Sequence, residues 1–198
     1  ALIKHFQKQI PLKTLRFLFI PETIGSIAYI KKNLQHLKSN VIGGYNLSCI
    51  GDNRMHSCIL TKYKKSVSDL SLLEAYKNLK IKYKIFSFLK RGSDERQYNA
   101  PGIDLPIASI FRTKYGSYPE YHTSFDSFDI VTLKGVKGGF FVAKKAIEIL
   151  LKKIIPQNVF LCEPHMGKRG LYPILSTGKI GPEEDNMNFL TYADGRND

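Results

Sequence analysis

The sequence predicts an α/β fold, a three-layer α/β/α sandwich built on a mostly parallel sheet. Two observations carry this. Short apolar runs of strand length alternate with segments of helical period, and strands separated by helices of ten or more residues pair in parallel through right-handed crossovers. The chain has 198 residues with 43% hydrophobic and only 24% charged content, enough to bury a sizeable core and too apolar for a disordered chain. No apolar run reaches the roughly 18–20 residues of a membrane span.

Residues 2–9 read as the end of an amphipathic helix stopped before Pro11. Leu15 to Ile20 (LRFLFI) has the length and composition of a strand, closed by Pro21. Residues 24–38 are helical in period, with Ile24, Ile27, Ala28, Leu34 and Leu37 on one face. Val41 to Ile50 reads as a strand kinked at Gly43-Gly44. Ser71-Leu72-Leu73-Glu74 has the form of a capping box, followed by Leu72, Tyr76, Leu79 and Tyr83 at helical spacing. Strands are predicted at 85–89 and 106–111, and Phe140, Ala143, Ile147, Leu150, Leu151 and Ile154 mark a long helix ended by Pro156. Two long polar segments, 90–105 and 113–129, adjoin strands, where open α/β sheets place their ligand sites.

The formal net charge is +13. A basic surface attracts nucleic acid or anionic lipid, but lysines spread along the chain suit a general composition bias equally well. Nucleic acid is therefore the less favoured partner. Three cysteines, Cys49, Cys58 and Cys162, are too few for a disulfide framework and point to a reducing compartment. With no signal-peptide pattern at the start, the expected location is cytoplasmic.

Few residues signal chemistry by themselves. His122 lies in a polar loop, where a histidine is either a surface residue or a ligand oriented by Asp126 or Asp129. Glu22 follows the 15–20 run and precedes a helix, so its carboxylate either caps the helix or faces a cleft as a general base. Ser93-Asp94-Glu95-Arg96 is either a surface charge cluster or part of a pocket. Cys162 and His165 form a Cys-x-x-His pair with no second pair to complete a zinc site. Nothing matches a phosphate-binding loop, a dinucleotide fingerprint or a nucleophile elbow.

Taken in order, FLFIPETIGSIAYI, VIGGYNLSCIGD, RGSDERQYNAPGIDLPIASIFRTKYGSYPEYHTSFDSFD and GKRGLYP resemble the aminopeptidase-like domain of bacterial surface-polysaccharide proteins. That domain is a divergent relative of the zinc aminopeptidases. The resemblance implies their sandwich over residues 1–155, then a linker and the start of a winged-helix domain over 156–198. It also implies a zinc-dependent hydrolase of a small peptide or amide substrate, with metal-activated water, in polysaccharide biosynthesis. Glu22 matches the family's general base, and His122 of Tyr121-His122-Thr123 matches its last zinc ligand. Asp94, Glu95, Arg96 and Tyr121 would border the substrate pocket, with Asp94 or Glu95 anchoring a free amino terminus.

The departures are as informative. Thr23 and Ser48 stand where the relatives place carboxylate ligands, unless Asp52 reaches back. Two further ligands, a histidine and an aspartate, are expected before Ala1. The resemblance therefore implies one zinc per full-length chain and inactivity of these 198 residues alone. The competing expectation is a catalytically degenerate module whose winged helix binds nucleic acid or protein. Oligomeric state has no signature in the sequence.

Overall fold

A computed structural model describes residues 1–8, 11–154, 156–162, 165–169 and 182–195. They divide into two compact units, Ala1–Lys152 and Lys153–Asp198. The first unit is a mixed α/β body around a small sheet.

Four strands, β1 (Gly44–Leu47), β2 (Ser57–Ile59), β3 (Lys84–Phe86) and β4 (Ile107–Phe111), form the sheet in the order β1-β4-β2-β3. The β1/β4 and β2/β3 pairs are parallel, whereas β2 runs antiparallel to β4. The sheet is thus mostly parallel, with one reversal at its centre. β2 escapes the sequence reading because three residues, Ser57-Cys58-Ile59, give no measurable alternation. Leu15–Ile20 is the opposite case. Its exposure alternates as in a strand from residue 15 to 18, but it joins no ladder among the described residues, and Phe19 is 83% exposed. Apolar content makes a strand only where another edge is available to satisfy its amides.

Around the sheet, α1 (Leu2–Phe6) and α2 (Ile24–Asn40) precede α3 (Val67–Asn78), and α4 (Glu95–Tyr98) and α5 (Leu133–Lys152) follow. α2 buries Ser26, Ile30 and Leu37, while Ile24 and Ile27 are exposed, so its inward stripe is rotated from the one predicted. α3 begins earlier than predicted. The Ser66 hydroxyl accepts the Asp69 amide and the Asp69 carboxylate accepts the Ser66 amide, completing a capping box. Ser71 consequently lies inside the helix, fully buried.

The main core joins α3 and α5 to one face of the sheet through Cys58, Leu72, Tyr76, Ile110, Val142 and Ala146. Ile59 and Phe111, one position along in their strands, turn the other way and pack with Tyr115. A further cluster joins Ile30 and Leu37 of α2 to Tyr98 and Leu105. Helix α5 sits unusually close to the segment after β1. A Cβ on Gly135 would strike the carbonyl oxygens of Gly51 and Asp52, and one on Gly139 would lie 2.8 Å from the Ile50 carbonyl. Glycine is required here for approach, and the helix begins seven residues before the predicted stripe.

In the second unit, Gln157 forms an antiparallel bridge with Asp194, and α6 spans Pro182–Tyr192. The Asn158 amide donates to Ala193, and Gly195 donates to Pro156. Most of GKRGLYP, and two residues of the Cys162–His165 pair's interval, lie outside the described residues. Among the described residues no helix is long and apolar enough to cross a membrane. The three cysteines are free thiols.

Candidate functional site

β1 and β4 are parallel and end together, at Leu47 and Phe111, so the segments that follow them emerge on one side of the sheet. Beside them lies the turn that leads into α2. Here the Ile24 amide donates to the Glu22 carbonyl at 2.8 Å across Thr23, which adopts φ 64° and ψ −69°. This is a γ-turn of the strained kind, in a β-branched residue that disfavours positive φ. Such a conformation persists only when its surroundings hold it.

The holding group is Asp94, only 8% exposed. Its Oδ1 accepts the Thr23 amide at 2.7 Å and the Ser26 hydroxyl at 2.9 Å. Arg96, two residues on and within α4, donates from a guanidinium nitrogen to the Thr23 hydroxyl at 2.9 Å. Peptide and side chain of Thr23 are therefore both fixed by the 93–96 segment, and Glu22 is presented at the surface immediately before them.

Glu95 faces the opposite way and is 1% exposed. Its Oε1 accepts the amides of Gly92 and Ser93 and the Tyr115 hydroxyl at 2.5 Å. Its Oε2 accepts the Ser109 hydroxyl at 3.0 Å and the Asn46 amide at 3.3 Å. Burial by itself raises the pKa of this carboxyl. The hydrogen bonds from Tyr115, Ser93 and Gly92 outweigh burial and hold it below the ordinary glutamate value. The same contact, added to burial, raises the Tyr115 phenol. With both oxygens engaged by these donors, Glu95 has the geometry of an internal anchor that ties α4 to β1, β4 and Tyr115.

His122 is exposed, at φ 59°, and its ring stacks on Tyr121 with centroids 3.9 Å apart and planes 18° from parallel. Among the described residues neither of its ring nitrogens has a hydrogen-bond partner. Tyr121 is half-buried, and its phenol is raised first by burial and then by the charges of Cys49, Glu22 and Asp126. Through Tyr121 the Glu22 turn, Cys49 and the His122 loop share one electrostatic neighbourhood. Cys49 follows β1 at φ 45°, and the Tyr118 hydroxyl donates to its sulfur at 3.7 Å and to Asp126 at 3.4 Å. The residues sequence reasoning missed are these: Ser26, Cys49, Tyr115 and Tyr118. None has a motif. The tyrosine density of 115–121 is the one signal that could have found Tyr115 and Tyr118.

The zinc aminopeptidases imply metal, and the donor set can be tested against it. Thr23 and Ser48 offer hydroxyls, and the Thr23 hydroxyl already accepts from a guanidinium. Asp52 does not reach back. Its Oδ1 accepts the Thr113 hydroxyl at 2.6 Å and the Arg54 amide, and its Oδ2 accepts the Thr113 amide at 2.7 Å. Among the described residues no three His, Cys, Asp or Glu side chains are grouped to hold a metal ion. Among the described residues the donors therefore do not fit a two-metal centre, and His122 is an open imidazole donor joined to Glu22's neighbourhood through Tyr121.

The whole chain is 34% identical to a Clostridium acetobutylicum protein whose name describes polysaccharide biosynthesis and an aminopeptidase-like domain. The chain spans 46% of that relative's length. It is also similar to the crystal structure of a peptidase-like protein from Clostridium acetobutylicum, with a TM-score of 0.72 at 31% identity. That match covers 98% of this chain and 43% of the other. An aminopeptidase from Aneurinibacillus sp. strain AM-1 shares the fold at a TM-score of 0.54 and 20% identity, over 63% of this chain and 29% of its own. A zinc aminopeptidase from Bacillus subtilis does so at 0.54 and 14%, over 63% and 32%. Residues 154–198 match a winged helix-turn-helix family, residues 1–153 match the domain of unknown function DUF4910, and the chain belongs to the DUF4910 family.

Proposed function

We propose that this chain is part of an aminopeptidase-like hydrolase, one that cleaves a peptide or amide bond in polysaccharide biosynthesis. The three-layer sandwich of the zinc aminopeptidases and a cytoplasmic location belong to the same reading. The observation that carries it is the Glu22–Thr23 turn. A strained backbone, pinned from a distant segment, presents one exposed carboxylate whose charge acts on a half-buried phenol, and an exposed imidazole stacks on that phenol's ring.

Glu22 is the general base. It takes a proton from the attacking water and returns one to the leaving amine, work that needs an exposed carboxylate held at a constant position. Asp94 and Ser26 act through the backbone and keep that position. His122 is the residue that would hold a single zinc ion, its other ligands coming from outside the described residues. A zinc ion there would supply Lewis acidity toward water and the substrate carbonyl. Tyr121 lines the pocket and orients His122 by stacking.

The test is hydrolysis of a panel of dipeptides, amino-acid amides and N-acyl amino acids by the longer protein, followed by amine release. Turnover that disappears in Glu22→Gln supports the reading, and turnover unchanged in that variant removes Glu22 from the mechanism. A second reading, a degenerate module acting through its winged helix, is favoured by the +13 charge and the neutral Thr23 and Ser48. Absence of turnover on the whole panel, with salt-dependent binding of duplex DNA, would establish it instead.

A further inference from the structure

The charge that the 93–96 segment presents outward has the reverse sign of what a free amino terminus requires. An ammonium group needs a carboxylate with an open acceptor, and both acidic residues of the 93–96 segment are turned inward. Glu95 accepts from Gly92, Ser93, Tyr115, Ser109 and Asn46. Asp94 is buried, and its Oδ1 is spent on Thr23 and Ser26. The charged group this segment presents outward is Arg96. It is exposed, makes one side-chain hydrogen bond, to the Thr23 hydroxyl at 2.9 Å, and takes part in no ion pair among the described residues. A guanidinium has five N–H donors in a rigid fork, so four remain for a ligand. Thr23 directly follows Glu22 in the chain, so the contact anchors the fork at the residue after the one assigned as base.

We infer that Arg96 is an anion-recognising specificity residue, and that the substrate presents a carboxylate, not a free ammonium, next to the bond being cleaved. The inference rests on the hydrolase reading for its setting but not for its test. Bidentate pairing of guanidinium with carboxylate supplies direction as well as charge, which a lysine at the same place would not. The Thr23 contact restrains the guanidinium before any ligand arrives, so less side-chain freedom is lost on binding.

The experiment is a ligand-observed NMR titration of the longer protein with two small probes. N-acetylglycine has a carboxylate and a blocked amine; glycinamide has an ammonium and a blocked carboxyl. Saturable binding of N-acetylglycine, weakened about tenfold or more in Arg96→Gln, with no binding of glycinamide, is the expected result. Arg96→Lys keeps the charge without the fork and should bind at an intermediate level. Binding of glycinamide, N-acetylglycine binding indifferent to both substitutions, or no binding of either probe would overturn the inference. Because the titration reads binding alone, a protein that binds N-acetylglycine through Arg96 yet hydrolyses nothing would sink the hydrolase reading and leave this one standing.

Discussion

Asp94 Oδ1 accepts the Thr23 amide at 2.7 Å, joining residues 71 positions apart in the chain. The bond does for the backbone what a ligand does for a loop: it selects one conformation from several, here the one that costs most locally. Its partner Ser26, which also donates to the Thr23 carbonyl, closes the turn from the other side.

Asp94→Ala leaves the Thr23 amide without its acceptor. It should lower stability by about 1–3 kcal/mol, read by denaturant unfolding, and reduce turnover more than zinc content. A variant with normal turnover would mean that the turn holds itself.

Glu22→Gln should leave stability and bound metal nearly unchanged, since the side chain is exposed and unpaired among the described residues. The rate should fall on the order of 10²–10⁴. Loss of metal from that variant would make Glu22 a ligand.

Glu95 offers a pH test. Its carboxyl titrates below the ordinary value in the folded protein, so the unfolded chain binds the proton more readily. The stability it contributes is present above the unfolded glutamate pKa and is lost as pH falls through the folded one. Glu95→Gln should therefore be strongly destabilised at neutral pH, with the gap from wild type closing in acid. A gap independent of pH would show that shape, not charge, matters at this position.

Much of the frame was legible. Apolar runs located β1, β3 and β4, and helical period located α2, α3 and α5, because burial imposes those patterns directly. What escaped depends on partners distant in sequence. Leu15–Ile20 has the composition of a strand and lacks a ladder. Ser57–Ile59 has a ladder on both sides and too few residues to show it. The same holds in the site. Residues 93–96 are legible as a charged segment, but spacing cannot reveal that Asp94 and Glu95 turn inward while Arg96 stays out. That is decided by Thr23, Tyr115 and Ser109.

Gly135→Ala raises helix propensity by about 1 kcal/mol yet should destabilise the protein. The added methyl would lie 2.6 Å from the Asp52 carbonyl carbon, and backbone cannot yield as a side chain can. A net loss above about 2 kcal/mol in thermal or denaturant unfolding is expected; a gain would mean that α5 is free to shift.

After chelation and reloading, the longer protein should retain one zinc per chain, and His122→Ala should retain far less while melting within about 0.5 kcal/mol of wild type. Two tightly held ions in the unmodified protein would contradict the donor set.

Thr23, Cys49 and His122 share a property uncommon outside glycine, a positive φ, and Cys49, His122 and Thr23's neighbour Glu22 all act on the Tyr121 ring. Each such residue is a debt of roughly 1–3 kcal/mol carried by the rest of the molecule. Glycine at any of them would release part of it. Selection of random variants for heat resistance alone, with no assay of activity, should therefore recover glycines at these positions. Lys64, Lys80 and Asp104 share the positive φ and should appear beside them, and loss of turnover would separate the positions whose strain serves the site from those where it only closes a turn.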